Sequence, residues 1–271
     1  ARLSDSQLET PLSGSRVTLA PSPLRFTGGP VTLRGTTSWN APGLGDFDFK
    51  GSCAKVKVDL PRLLKGTLEK GSFSWARHED GFLLSGNLDI SEGRWLKDFE
   101  TGEDEPGATY GDFLDRTRFS VRFRGAQNLW LDNNMARCRV DAEATLTGSW
   151  PAPTLLGRFT ALEGHVLYLD RRFVIEKGSA VFDDATVINP QLDLSAATTL
   201  RSYSATGAPQ PYAIRFTVSG PLDRMALGLS SDPNLSQADI VSLLTFGATQ
   251  QEMVTRNPRT GASTGETLLT R

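Results

Sequence analysis

The sequence predicts an all-β protein, and three observations support that prediction. Residues Cys138–Leu146 alternate apolar or small residues with polar or charged ones, which is the period of a β-strand with one apolar face. The same alternation recurs at Lys55–Leu60 and at Ile214–Ser219. Glycine and proline clusters divide much of the chain into short apolar runs, which is typical of strands joined by turns. A single segment near the end changes to helical spacing.

That helix is predicted at residues 237–246. Ser236 stands in front of it as a capping residue, and Gly247 follows it as a stop signal. One stripe of the predicted helix is apolar and consists of Ile240, Val241, Leu243 and Leu244. We expect the helix to cap one end of the sheet and to protect an edge there.

One short helix cannot cover the apolar faces of so many strands. A helix of about ten residues spans about 15 Å, whereas a dozen strands spaced about 4.8 Å apart make a much wider sheet. Two arrangements would solve this problem. The sheet closes on itself as a sandwich or barrel, or it curls into an open trough whose apolar lining is a binding surface. The residues alone leave both arrangements open.

Composition argues against several functions. The net charge is −2, which is not the basic surplus of a nucleic-acid binder. No stretch approaches the roughly 18 apolar residues of a membrane helix. Cys53 and Cys138 lack the spacing of metal ligands, so we expect two buried hydrophobic residues, with a disulfide as the alternative. The two histidines lie far apart in the sequence, and we expect neither a metal nor a cofactor.

The sequence contains no motif of a known catalytic site, and we expect no enzymatic activity. GxSxG, HExxH, P-loop and GxGxxG patterns are all missing. Asp183 and Asp184 are adjacent, so a strand would point them to opposite faces, and we interpret them as a turn. Arg171 and Arg172 lie between two apolar strands, where we expect a solvated hairpin tip rather than an anion site.

Changes in composition divide the chain into three parts. Residues 1–119 are predicted to form a β-rich groove segment, interrupted near 98–112 by an acidic loop. Residues 120–250 contain the densest strands and the helix. Asn257–Gly265 is rich in Pro, Gly and Thr, and we expect residues 251–271 to form a flexible tail.

A series of motifs follows from residue 126 onward. They include Asn128-Leu-Trp-Leu131, Glu163-Gly-His-Val-Leu-Tyr168 and Asn189-Pro-Gln-Leu-Asp-Leu-Ser-Ala196. The most specific is Leu229-Ser-Ser-Asp-Pro-Asn-Leu-Ser236, with the helix directly after it. This order and spacing resembles the C-terminal domain of the TamB family, the inner-membrane-anchored subunit of the translocation and assembly module. The resemblance covers about residues 120–250.

The resemblance implies an elongated, mostly antiparallel sheet that curls like a taco around an apolar concave lining. The implied function is a periplasmic segment of a lipid-transport conduit between the inner and outer membranes. That conduit supports outer-membrane lipid homeostasis and outer-membrane protein assembly. Its implied partners are phospholipid acyl chains and a TamA-like outer-membrane barrel protein. The implied full-length protein is anchored in the inner membrane of a Gram-negative-type bacterium.

Two other functions stay open. The first is a chaperone-like assembly factor that binds outer-membrane barrel proteins by strand addition. The second is a closed β-sandwich or solenoid that acts as a binding module.

Strand parity, taken with the resemblance, predicts which residues line the groove. The small alanines of Cys138–Leu146 favour the wall of a trough, because a close-packed core would require bulkier residues. The predicted groove lining consists of Val140, Ala142, Ala144, Leu146, Val166, Tyr168, Phe173, Ile175, Phe182, Leu192, Leu194, Ile214, Phe216, Val218, Leu227 and Leu229.

Overall fold

The computed structural model describes residues 12–13, 16–26, 28–40, 43–60, 62, 64–79, 81–97, 112–203, 209–250 and 253. These residues form one sheet of thirteen strands, which confirms the predicted all-β class. The strands are β1 (Leu12–Ser13), β2 (Arg16–Phe26), β3 (Gly29–Asn40), β4 (Gly43–Leu60), β5 (Leu64–His78), β6 (Gly81–Trp95), β7 (Thr117–Asp132), β8 (Ala136–Gly148), β9 (Pro153–Tyr168), β10 (Arg171–Phe182), β11 (Gln191–Tyr203), β12 (Pro209–Pro221) and β13 (Ala226–Asp232). The helices are α1 (Asp112–Asp115) and α2 (Gln237–Phe246), and a 3-10 turn spans Leu222–Arg224.

The strands follow one another across the sheet in the order of the sequence. Each strand is hydrogen-bonded to the strands next to it in the chain, and β1 and β13 form the two edges. A barrel would join its first strand to its last, and a sandwich would divide its strands between two sheets. The described residues do neither. The sheet is therefore a single open layer across this part of the chain.

One pair of neighbouring strands, β6 and β7, is parallel, whereas the other pairs are antiparallel. A parallel pair needs a connection that returns along the length of the strands. The end of β6 and the start of β7 therefore lie at opposite ends of this strand pair, so a tight turn cannot connect them. The predicted acidic loop at 98–112 falls in this connection and, apart from Asp112, lies outside the described residues.

The sheet continues through the position where the sequence predicts a domain boundary. Residues 119 and 120 both lie inside β7, which pairs with β6 on one side and with β8 on the other. The predicted tail at 251–271 lies outside the described residues except for Met253.

Helix α2 has the bounds and the caps that the sequence predicts. The Ser236 side chain accepts a hydrogen bond from the Asp239 N–H at 3.1 Å. Gly247 adopts the left-handed conformation with φ of 73° and donates its N–H to the Leu243 carbonyl. The predicted apolar stripe is wrong at Val241, which is 41% exposed. Its position is about 100° around the helix from Ile240, so it points away from the sheet.

The largest hydrophobic core lies where α2 packs on the sheet. Ile240, Leu243 and Leu244 are almost fully buried there against residues of β10–β12. Arg171 holds the end of the helix, because its Nε donates a hydrogen bond to the Leu244 carbonyl at 2.7 Å. This contact corrects the predicted solvated hairpin tip: Arg171 is partly buried and caps a helix C-terminus, where a cation is favoured.

An apolar sheet face as the candidate functional site

One face of the sheet is apolar across most of its width. The register places an apolar or small residue of each strand beside one of the next strand. One such row crosses eight successive strands, from β4 to β11, and consists of Val56, Leu68, Ile90, Gly125, Ala142, Phe159, Ala180 and Leu192. We name this side of the sheet the apolar face and the opposite side the polar face.

The apolar face is concave in the region of β9–β12. The rings of Tyr168 and Phe216 stack with their centroids 4.8 Å apart, although they belong to β9 and β12. In a flat sheet, three strand spacings would separate them by about 14 Å. Phe173 of β10 also meets Phe216, with ring centroids at 5.7 Å. The sheet therefore curls towards its apolar side here.

Aromatic contacts between more distant strands recur elsewhere on the apolar face. Phe47 of β4 and Phe82 of β6 have ring centroids 5.7 Å apart, with β5 between them. Phe123 of β7 and Phe159 of β9 are 6.3 Å apart across β8. Rings two strands apart meet because the side chains of this face converge.

Ten of the sixteen predicted lining residues come together in one cluster. Helix α2 covers that cluster through Ile240, Leu243 and Leu244, so this part of the apolar face is filled by the chain itself. The ten residues are Val166, Tyr168, Phe173, Ile175, Leu192, Leu194, Ile214, Phe216, Val218 and Leu229.

The other six predicted residues lie outside this cluster. Ala142 and Ala144 are 1% and 3% exposed. Val140, Leu146 and Phe182 are half-buried. Leu227 lies on the edge strand β13, and 53% of its surface is exposed.

The alanines of β8 are small for a reason that differs from the prediction. Ala142 pairs with Phe159, and Ala144 pairs with Phe123 on one side and with Gly157 on the other. Both alanines are buried although they belong to a single-layer sheet. The neighbouring rings of Phe123 and Phe159 supply that cover, and small residues make room for them.

Leu129 shows the same fit between large and small residues. It lies between Gly93 of β6 and Gly125 of β7 on the apolar face. A Cβ on Gly93 would lie 2.9 Å from Leu129 Cδ2, and a Cβ on Gly125 would lie 2.9 Å from Leu129 Cγ. These separations are far below van der Waals contact, so the leucine occupies the space that both glycines leave.

Both cysteines lie on the apolar face as free thiols. Cys138 is buried, and this burial raises the pKa of its thiol to about 11. Burial also raises the pKa of the half-buried Cys53. The structure therefore contains no disulfide between Cys53 and Cys138, which was the alternative.

Charged side chains pair across the strands of the polar face. One row from β5 to β9 alternates in sign and consists of Lys70, Asp89, Arg124, Glu143 and Arg158. Lys70 and Asp89 are 3.4 Å apart, and Arg124 and Glu143 are 2.9 Å apart. The hydrogen bond from Arg124 lowers the pKa of the Glu143 carboxyl.

The predicted lining omits the N-terminal half of the apolar face. Val31 and Val56 are buried together there, and Leu33, Cys53 and Leu68 pack against them. Their alternation is visible in the sequence, but the resemblance that guided the predicted lining began only near residue 120.

These features define a class of protein: a single-layer, open, curled β-sheet with one continuous apolar face. No helix among the described residues is long and apolar enough to cross a membrane.

The family described as the TamB C-terminal domain matches residues 24–270, and the chain belongs to that family. The match begins well before residue 120 and so includes the N-terminal half of the sheet. Membership links the chain to the translocation and assembly module of the Gram-negative envelope and to its outer-membrane partners. No curated protein matches the chain.

Proposed function

We propose that this domain is a periplasmic segment of a lipid conduit between the inner and outer membranes. The apolar face of the open sheet is the observation that carries the proposal. Apolar side chains continue over eight strands, whereas α2 packs on β10–β12 near one edge. Each CH₂ of an acyl chain that leaves water for such a surface gains about 0.8 kcal/mol. A phospholipid acyl chain is therefore the occupant that fits best.

The curvature and the charge of the two faces support this function. A chain on a concave face touches side chains from several strands, as the rings of Tyr168 and Phe216 touch one another. The paired charges of the polar face keep the same sheet soluble on its other side. In this function the full-length protein is anchored in the inner membrane and meets a TamA-like barrel at the outer membrane. It then serves outer-membrane lipid homeostasis and protein assembly.

Site-specific photo-crosslinking in cells tests the proposal. A benzophenone amino acid replaces Ile90, which is half-buried on the apolar face, or Ser91, which is its exposed neighbour. We expect phospholipid adducts from position 90 and none from position 91. Equal adducts from both positions, or none from position 90 in a protein of normal abundance, would contradict a conduit.

The free edge of β13 favours strand addition as a second candidate function. Among the described residues, Ala226–Asp232 pairs only with β12, so the backbone groups on its other side are free to bind a strand. Cross-linkers at Ser230 and Asp232 test this function. Adducts with outer-membrane barrel proteins there, combined with no lipid adduct at position 90, would favour the assembly factor over the conduit.

A further inference from the structure

The polar face has a cavity that lipid transport leaves unexplained. Its volume is about 940 Å³, within the size range of small-ligand sites. It lies across β3–β8, with the full thickness of the sheet between it and the apolar face. An acyl chain on the apolar face therefore cannot place its headgroup here.

The lining of the cavity combines short hydroxyl side chains with cations. The short side chains of serines on three adjacent strands form the floor of the cavity, and longer basic side chains lie on either side of them. The serines are Ser74, Ser85 and Ser120, and the basic residues are Arg34, Lys50 and Arg122. Among the described residues, the lining contains no carboxylate. Its donors suit an anion that also carries hydroxyl groups.

Two of the cations are placed where like charges repel. Arg34 and Lys50 are direct cross-strand partners on β3 and β4, and like charges in that position destabilise a sheet. Lys50 has Asp48 at 3.5 Å on its own strand. Within the described residues, no carboxylate lies within 4.0 Å of the guanidinium of Arg34 or Arg122.

The neighbouring row of the same face shows that this arrangement is a local exception. That row, which contains Lys70, Asp89, Arg124 and Glu143, pairs each charge with its opposite. Cations that face one another directly, as Arg34 and Lys50 do, within a face that otherwise pairs opposite charges are typical of a binding site.

The cations form two positive poles. Lys50 and Arg34 stand at one side of the cavity, and Arg122 stands on β7, three strands beyond Lys50. Three strand spacings correspond to about 14 Å along the sheet. The serines occupy the distance between the poles. A matching ligand has negative groups towards both ends and hydroxyl groups in its middle.

We infer that this cavity binds a soluble saccharide that carries phosphate groups towards both ends. Arginine presents a fork of donors that fits phosphate oxygens, and serine hydroxyls both donate to and accept from sugar hydroxyls. An acidic peptide fits less well, because peptide interfaces bury apolar side chains and the described lining contains one large apolar residue, Phe73. The inference does not depend on lipid transport.

Calorimetric titration of the whole chain with fructose 1,6-bisphosphate tests the inference. Fructose, inorganic phosphate and a hexaglutamate peptide serve as comparison ligands. The first variant combines Arg34→Gln with Arg122→Gln. The matched control combines Lys57→Gln with Arg172→Gln, which removes the same charge from exposed positions outside the cavity. The free energy of unfolding of each variant is measured alongside.

We expect the wild-type chain to bind the bisphosphate more tightly than any comparison ligand. The cavity variant should bind it at least about tenfold more weakly, and the control variant should stay within about twofold of wild type. Equal weakening in both variants would overturn the inference, because general charge attraction would explain it. Tighter binding of hexaglutamate, or no binding of the bisphosphate to wild type, would overturn it as well.

Discussion

Individual residues of the apolar face are matched in size to their neighbours on the next strand. Ala142 lies beside Phe159, and Leu129 lies over Gly125. Inward side chains crowd one another where a sheet curls, so a large residue on one strand requires a small one on the next. Alternation in the sequence shows which residues share a face. It cannot show which residue lies opposite, because that depends on strand order and on bulges such as the one between Arg139 and Val140.

Gly157 provides a direct test of this size matching. It has φ of 148°, and a Cβ at this position would lie 2.6 Å from Ala144 Cβ. Gly157→Ala should lower the free energy of unfolding by about 3 kcal/mol, through backbone strain and overpacking. Gly220→Ala is the control, because Gly220 also has a positive φ but its nearest contact would be 3.6 Å away. There we expect about 1 kcal/mol, and equal losses in urea unfolding would contradict the size matching.

The ion pair of Arg124 and Glu143 predicts a pH-dependent effect. The hydrogen bond from Arg124 lowers the pKa of Glu143 in the folded protein below its ordinary 4.5. The charged carboxylate therefore stabilises the fold above that ordinary pKa, and this contribution disappears as the pH falls through the lowered value. Glu143→Gln should reduce the Tm at pH 7, and the difference from wild type should shrink at acidic pH.

Thermal unfolding across a pH series measures this effect. Glu69→Gln serves as the control, because Glu69 is exposed and no cation of the described residues lies within 4.0 Å of it. A Tm difference for Glu143→Gln that is independent of pH would show that the ion pair is not its source.

Among the elements, α2 is held by contacts from both of its ends. Ser231 accepts a hydrogen bond from the Leu235 N–H and donates one to the Pro233 carbonyl, each at 2.9 Å. These bonds shape the chain that enters the helix, and Arg171 binds the carbonyl of Leu244 near its end. Ser231 and Ser236 of the Leu229–Ser236 motif therefore have a structural function: they orient the helix onto the apolar face.

Substitutions on the two sides of α2 should have very different effects. Leu243 is fully buried against the sheet, whereas 41% of the surface of Val241 on the same helix is exposed. Leu243→Ala should lower the free energy of unfolding by about 2–5 kcal/mol, and Val241→Ala should change it by less than about 0.5 kcal/mol. Chemical denaturation measures both values. Similar values for the two variants would show that the helix does not pack on the sheet in solution.

The extent to which the sequence predicted each element depends on how local its signal is. Ser236 and Gly247 mark the ends of α2 through bonds within a few residues, so the bounds of the helix could be predicted. The parallel pairing of β6 with β7 involves residues far apart in sequence and leaves no local pattern. The polar cavity escaped prediction for the same reason, because Arg34 and Arg122 are brought together only by the strand order.

In the molecule as a whole, the strands lie across the sheet in the same order as in the sequence. Every hydrogen-bonded neighbour in the sheet is also a neighbour in sequence. Stability in such an arrangement is close to a sum of local terms and interfaces between neighbours, as in repeat proteins. A defect near one edge should therefore stay near that edge.

Hydrogen exchange of the Leu243→Ala variant tests this locality. We expect faster exchange of backbone amides in α2 and in β10–β12, which contribute to the core beneath the helix. Exchange in β4–β6 should keep its wild-type rate. Acceleration of equal size across all strands would show that the sheet unfolds as one cooperative unit.

The sequential order of the strands also makes the reach of this protein adjustable by evolution. An additional hairpin inserted at a turn would widen the sheet by two strand spacings, about 10 Å, without changing any distant pairing. In the proposed conduit function, the number of hairpins can thus be matched to the distance between the two membranes, and the fold need not be redesigned. The parallel pair β6 and β7 is the exception among the described strands. Strands inserted between them must leave β7 running in the same direction as β6.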